Sequence, residues 1–244
     1  MTKIGIFGSN GRMGRAIAAV IAESDGTLAG GADEGGDFGS LAAKSDVLVD
    51  FSSPAALAEH LAAAESAGTA IVIGTTGLGP EHHAAINSAA RSIPVLQAAN
   101  TSLGVNLLVH LVKEAAAKLG PDWDIEIVEM HHRHKVDAPS GTGLLLGSAA
   151  AEGRGSTAAQ LNRFDRIGHG NDKAREEGTI GYASLRGGSV AGDHMVVMAG
   201  EGERIELGHR AESREIFARG AVKAALWIIG RPTGRYSMGH VLGI

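Results

Sequence analysis

Through the first hundred residues, short β-branched and aliphatic runs alternate with Ala-rich stretches, the pattern of repeated strand–helix–strand units around a parallel sheet. Lys3–Phe7 reads as the first strand and Arg12–Ala22 as an Ala/Ile helix; Thr27–Ala32, Val47–Phe51, Ala70–Ile73 and Pro94–Gln97 read as further strands. Between them, Pro54–Ala67 and Pro80–Ala90 are helical by composition, with proline in the first turn, where its missing N–H is no loss.

After Asn100 the pattern changes, which marks a second domain. Leu103–Leu119 is a long apolar helix stopped by Gly120-Pro121, and Asp124–Met130 alternates acidic and apolar residues as a half-buried strand does. A helix follows over Thr142–Glu152, then strands over Gly178–Arg186, His194–Ala199 and Arg204–His209, then a helix over Ser213–Ile229. Arg166–Glu177 is polar, charged and Gly-containing, and reads as a surface loop.

Composition narrows this α/β reading. Glycine is abundant at 36 residues and aromatics are scarce at 4%, which fits many tight strand-to-helix turns. There is no cysteine, so disulfides, Cys-ligated zinc, iron–sulfur clusters and thiolate nucleophiles are excluded. A net charge of -5 gives no global attraction to nucleic acid or to anionic membranes, so neither is an expected partner. No apolar run approaches the roughly 20 residues of a membrane span. The start, Met1-Thr2-Lys3, leads directly into the first strand without a signal-peptide core, and a cytoplasmic location is expected.

Gly8-Ser9-Asn10-Gly11-Arg12-Met13-Gly14 sits directly after a strand and before a helix. In that context glycines let the backbone approach a pyrophosphate, and the first helical N–H groups favour its charge. Asn10 stands where the usual fingerprint has its middle glycine, and a plain structural turn is the competing reading. Asp33, 19 residues beyond Gly14 at the end of the second strand, tilts the balance toward a dinucleotide, because a carboxylate there accepts from an adenosine ribose. Gly74-Thr75-Thr76-Gly77 and Ala98-Ala99-Asn100-Thr101 follow later strands, where the nicotinamide end of a cofactor belongs. The acidic stretch Asp33-Glu34-Gly35-Gly36-Asp37 favours NADH over NADPH; Arg12 can reach a 2′-phosphate, so NADPH use is possible.

The most specific segment is Glu129-Met130-His131-His132-Arg133-His134-Lys135-Val136-Asp137-Ala138-Pro139-Ser140-Gly141-Thr142. A metal site is one reading of five consecutive basic or imidazole side chains, but Arg133 and Lys135 repel a cation, and none is expected. A solvated charged loop is a second reading. The third is a site for an anionic substrate with acid catalysis: Lys and Arg attract carboxylates, His and Lys donate protons, and Ser140, Gly141 and Thr142 offer N–H groups at a helix N-terminus. These features suit a small dicarboxylate reduced by hydride at one atom and a proton at another. Residues alone do not rank His131 above His134.

Gly-Arg-Met-Gly, Gly-Thr-Thr-Gly, Ala-Ala-Asn and above all His-His-Arg-His-Lys-Val-Asp-Ala-Pro-Ser-Gly-Thr resemble the 4-hydroxy-tetrahydrodipicolinate reductases of diaminopimelate and lysine biosynthesis. The likeness runs along essentially the whole chain, including His209–Arg214 and Phe217–Ala221. It implies a Rossmann-type doubly wound parallel sheet over residues 1–102, completed by 213–244, and a second α+β domain over 103–212 whose mixed sheet binds substrate and builds a homotetramer. It implies His131 as catalytic acid/base and Lys135 as second proton donor, with His132, Gly141 and Thr142 holding the carboxylates of a cyclic substrate. It assigns the cofactor to Gly8, Ser9, Asn10, Gly11, Arg12 and Met13, to Gly74, Thr75 and Thr76, and to Ala98, Ala99, Asn100 and Thr101. A semialdehyde dehydrogenase on a similar fold needs a cysteine nucleophile that is absent. A catalytically silent NAD(P)-sensing regulatory protein is the remaining alternative, and the intact His131 and Lys135 argue against it.

Overall fold

In the computed structural model, which describes residues 1–244, the strand runs of the first hundred residues lie side by side and all in parallel. They are β1 (Thr2–Phe7), β2 (Gly26–Ala32), β3 (Val47–Asp50), β4 (Ala70–Ile73) and β5 (Pro94–Gln97). A sixth strand, Gly234–Tyr236 (β11 in chain order), pairs with β5 and gives the order β11-β5-β4-β3-β1-β2. All four residues of β3 and of β4 are buried, as expected for strands covered on both faces.

Alternation along these strands divides their side chains between two cores. Ile4, Ile6, Val47, Val49 and Val72 pack with helices α1 (Arg12–Ala22) and α8 (Glu215–Ile228). Phe7, Leu48, Ile71 and Ile73 pack on the other face with α2 (Phe38–Ala43), α3 (Leu57–Ala67) and α4 (Pro80–Ala89). The Pro54–Ala67 stretch is not one helix: a 3-10 turn over Pro54–Ala56 precedes α3. A short α9 (Met238–Leu242) buries Met238 in the first of these cores.

The chain divides into two compact units, Met1–Leu103 with Glu215–Ile244, and Gly104–Arg214. The second unit is opened by α5 (Leu103–Lys118). Its mixed sheet has the order β10-β9-β6-β8-β7, with β6 (Asp124–His131) at the centre, β7 (Asn162–Arg163), β8 (Ile180–Arg186), β9 (Gly192–Gly200) and β10 (Glu203–Ala211). β6 runs parallel to β8 and antiparallel to β9. Helix α5 and α6 (Gly141–Gly153) cover one face, packing Leu108, Val112, Leu146 and Ala150 onto Ile125, Ile127, Val196 and Met198. A one-turn helix, α7 (Ala158–Leu161), leads into β7; the 166–177 stretch is irregular apart from a 3-10 turn at Asn171–Lys173. No helix of the molecule is long and apolar enough to cross a membrane.

Candidate active site

In the first unit the functional candidates gather at the carboxyl ends of the parallel strands. Gly8, at φ +80°, turns the chain out of β1, and its N–H donates to the Ala32 carbonyl at 2.9 Å. A Cβ at Gly14 would lie 2.3 Å from the Gly8 carbonyl oxygen, so this helix start fits against the turn only as glycine. Asp33 accepts from Ser9 Oγ at 2.6 Å and from the Asn10 N–H at 3.1 Å, which locks the turn to the end of β2. A carboxylate has about four acceptor positions, so a ribose hydroxyl still finds room on it.

Two adjoining clefts run along this edge. One, of about 580 Å³, is lined by Gly8, Gly11, Asp33, Glu34, Phe51, Ser52 and His60; the other, of about 480 Å³, by Gly11, Arg12, Met13, Phe51, Gly74, Thr75, Thr76, Ala99, Asn100, Thr101 and Phe217. Phe51 and Gly11 border both, and a Cβ on Gly74 would fall 2.1 Å from the Phe51 ring. A third hollow beside Asp33 is lined by Asn10, Glu34, Asp37 and Lys44, the last a cation that sequence reading did not single out. Ala98 packs against the core and Ser9 is turned to Asp33, so these two are not among the lining residues.

Beneath Ser52 lies a polar cluster also missed from sequence. Asp50, fully buried, accepts from the Ser52 N–H and hydroxyl at 3.0 and 2.6 Å, from Thr75 Oγ1 at 3.2 Å, and pairs with His60 Nδ1 at 2.9 Å. These bonds fasten β3 to β4 at the cleft floor.

In the second unit, strand periodicity decides which members of the basic motif are buried. Ile125, Ile127, Glu129 and His131 occupy alternate positions of β6 on its buried face, so the apolar face ends in two polar residues. Glu129 is 1% exposed and His131 8%. His131 Nδ1 lies 2.5 Å from Glu129 Oε2. Arg186 on β8 grips Glu129 with both terminal nitrogens, at 2.9 and 2.8 Å, and the Ser140 N–H donates to Oε1 at 3.2 Å. Burial pushes the Glu129 carboxyl up, but the hydrogen bonds from Arg186, Ser184 and His131 outweigh it and hold the group below the ordinary range.

On β9, His194 is the register partner of Glu129, and its ring meets that of His131 edge-on at 5.0 Å. Its Nε2 contacts Ser140 Oγ at 3.1 Å. Burial, then the neighbouring His131, brings its pKa down to about 4, so this second imidazole is neutral near pH 7. Ser140 caps α6 by accepting from the Gly143 N–H at 3.1 Å, which leaves Gly141 and Thr142 in the first helical turn.

The rest of the motif lies on the loop after β6. Lys135 Nζ pairs with Asp137 Oδ2 at 2.8 Å, and this ammonium is the chief reason the Asp137 carboxyl is depressed. His132 Nε2 lies 3.2 Å from Arg214 Nη2; partial burial first, then the charges of Arg214, His134, His131 and Lys135, lower its pKa. His134 is exposed, with its ring 6.3 Å from that of His132. The structure therefore separates His131 from His134 where residue types did not. In this unit Arg186 and His194 are functional candidates that sequence reading left out, and Glu129, which opens the motif, was given no role there.

Two family models match the chain, one described as dihydrodipicolinate reductase, N-terminus, over residues 2–101, and one as dihydrodipicolinate reductase, C-terminus, over residues 104–242. A 4-hydroxy-tetrahydrodipicolinate reductase of Zymomonas mobilis is 60% identical, with 99% of this chain and 97% of that protein covered. One from Methylocella silvestris is 50% identical over 98% and 96%. Among solved structures, a dipicolinate-bound dihydrodipicolinate reductase from a Paenisporosarcina species gives a TM-score of 0.81 at 24% identity, covering 97% of each chain. A probable dehydrogenase from Thermotoga maritima gives 0.61 at 12%, covering 98% of this chain and 92% of that one. At these identities the two structures speak to the fold.

Proposed function

The chain belongs to the dihydrodipicolinate reductase family, and from that premise we propose how its residues divide the work. It is an NAD(P)H-dependent oxidoreductase that converts 4-hydroxy-tetrahydrodipicolinate to tetrahydrodipicolinate, with the 4-hydroxyl lost as water, in diaminopimelate and lysine biosynthesis. In our reading, residues 1–102 with 213–244 bind the dinucleotide and 103–212 bind the substrate. When bound, the nicotinamide supplies the hydride. The glycine turn fits a pyrophosphate, since a Cβ at Gly14 would strike the turn's own backbone. Asp33 meets the adenosine ribose, and Gly74–Thr76 and Ala98–Thr101 border the nicotinamide end.

His131 delivers the proton. The observation that carries this is its burial with a carboxylate on Nδ1 and no hydrogen bond on Nε2, a posture found at no other imidazole of the motif. Lys135 acts as the second donor, and His132, Gly141 and Thr142 hold the two carboxylates of the cyclic substrate. Ser140, expected from sequence to join them, is buried with its N–H given to Glu129 and its hydroxyl to the α6 cap and His194, so it positions this turn instead. The deciding assay supplies fresh substrate from the preceding synthase of the pathway and follows nicotinamide absorbance. No substrate-dependent oxidation of NADH or NADPH would overturn the reading. Nothing observed favours a silent sensor, and the reading carries with it a cytoplasmic location.

NADH is the preferred cofactor. Asp33, Glu34 and Asp37 border the hollow where a 2′-phosphate would lie, against Lys44 alone among its lining and Arg12 in the neighbouring cleft. Glu34 is exposed, so salt screens its repulsion and the preference is moderate. Under one buffer, kcat/KM favours NADH in the native protein, and Glu34→Arg moves the ratio toward NADPH by about tenfold, roughly 1.4 kcal/mol. A native preference for NADPH, or an unmoved ratio in the variant, would contradict this.

The working form is a homotetramer built through the mixed sheet. Its face away from α5 and α6 carries an apolar strip, Val128 and Met130 on β6, Met195 and Val197 on β9, and Leu185 on β8, bordered by the charged Glu126, Asp193, Glu206 and Arg210. Sedimentation at micromolar concentration is expected to give a species of four chains; a monomer would refute the assembly.

A further inference from the structure

We propose that Glu129, clamped by Arg186 and Ser140, is the positioning residue that fixes His131 with its proton on Nδ1 and its Nε2 free to serve the substrate. The inference rests on the reductase reading above and deepens it, because it says what makes this one imidazole of the motif a proton donor.

The argument starts from the strand. Period two puts Glu129 and His131 on the same buried face of β6, so the carboxylate and the imidazole meet along one strand. Oε1 already has two fixed donors, the Ser140 N–H at 3.2 Å and Arg186 Nη2 at 2.8 Å. Oε2 takes Arg186 Nη1 at 2.9 Å and faces His131 Nδ1 at 2.5 Å. An ionised carboxylate can only accept, so Nδ1 carries the hydrogen in both the cationic and the neutral ring. The proton that comes and goes is then the one on Nε2.

Nε2 makes no hydrogen bond within the protein, and the residue beside it is Gly192, where a Cβ would come within 3.0 Å. Any other residue at 192 would crowd the working nitrogen. His194, packed against the ring and neutral near pH 7, adds no charge to oppose the imidazolium, while Glu129 stabilises it. Arg186 serves a second purpose, since it also donates to the Asp137 carbonyl and so ties the Lys135 loop to the same carboxylate.

The test is Glu129→Gln. Its amide oxygen is claimed by Ser140 and Arg186, which leaves the amide NH₂ facing His131 Nδ1 and forces the neutral ring into the Nε2–H tautomer. Ring ¹⁵N shifts of His131, assigned by difference from a His131→Asn sample, should report Nδ1–H at every pH in the native protein and Nε2–H in the neutral ring of the variant. The variant should lose about a hundredfold to ten-thousandfold in kcat, with KM for NADH within about twofold. A native ring found in the Nε2–H form, or a variant with the native tautomer and native kcat, overturns the proposal. Should Glu129→Gln fail to fold, Arg186→Lys is the second arm: it loosens the two-point grip, and an unchanged kcat there would likewise overturn it. The NMR measurement needs no substrate, so failure of the reductase assay and failure of the positioning role are read separately.

Discussion

His131→Ala and Lys135→Ala should each lower kcat by about a hundredfold to ten-thousandfold, with KM for NADH unchanged within about twofold. Both residues lie in the unit that does not carry the glycine turn, so their loss leaves the Gly8–Gly14 backbone and the Asp33 contacts intact. The two variants differ in what else they disturb. His131→Ala leaves buried Glu129 held by Arg186 and Ser140, and thermal unfolding should show a modest loss of stability. Lys135→Ala removes only an ion pair to an exposed carboxylate, and stability should hardly move. Steady-state kinetics on both, with NADH titrated at saturating substrate, checks the split. Near-native turnover in the pair would place the basic cluster outside the chemistry.

Gly220→Ala should be the most damaging single methyl in the nucleotide unit. Its Cβ would lie 1.8 Å from the Thr101 carbonyl oxygen, and that obstacle is backbone, which cannot rotate away. The approach is fixed from both sides, because Thr101 Oγ1 donates to the Phe217 carbonyl one turn earlier on α8, at 2.7 Å. Overpacking of this kind costs about 1–3 kcal/mol or more, equivalent to a fall in Tm on the order of 5–10 °C. Asn100 and Thr101 line the cleft proposed above for the cofactor, so on that reading KM for NADH should rise together with the loss of stability. Gly39→Ala is the control: its nearest neighbour would be Asp37 Oδ1 at 3.7 Å, inside a helix where alanine is favoured. Calorimetry that ranks the two variants equal would show that the α8 contact is not tight in solution.

How much of this could be read from sequence follows from how far each feature is local. Val47–Val49 and Ala70–Ile73 are unbroken apolar runs because helices cover both sides, and such runs are legible. Gly234–Tyr236 was missed because three residues have no periodicity; pairing with Pro94–Leu96 makes them a strand. The helix Phe38–Ala43 left a readable signal, the Asp37 side chain accepting from the Ser40 N–H, but six residues that follow Gly35-Gly36 and include Gly39 look like a loop. Thr157 and Gln160, a capping box, likewise announced Ala158–Leu161.

In the site, the basic motif was visible as chemistry while its geometry was not. Alternation in Ile125-Glu126-Ile127-Val128-Glu129-Met130-His131 could have placed Glu129 and His131 on the buried face and so ranked His131 above His134. Arg186 and His194 could not be found this way. They reach Glu129 across strand pairings 57 and 65 residues distant, and nothing local in the chain encodes that register.

The excursion of residues 104–214 out of the nucleotide unit bears on how the protein is born. On a ribosome, five of the six parallel strands are made before the excursion, yet the face formed by Ile4, Ile6, Val47, Val49 and Val72 waits for Ala218, Ala221, Ala225 and Ile228. In equilibrium terms the detour costs little, because loop entropy grows only by about 0.6 kcal/mol per doubling of length. In time it matters more. At roughly 5–20 residues per second the nascent sheet keeps one apolar face covered by α1 alone and one open edge at β5 for several seconds, while the segment in between already has its own core to fold. The same interruption means that ribosomes stalled within that window hold a sticky half-finished sheet, and such chains are natural clients for chaperones that bind exposed aliphatic surface.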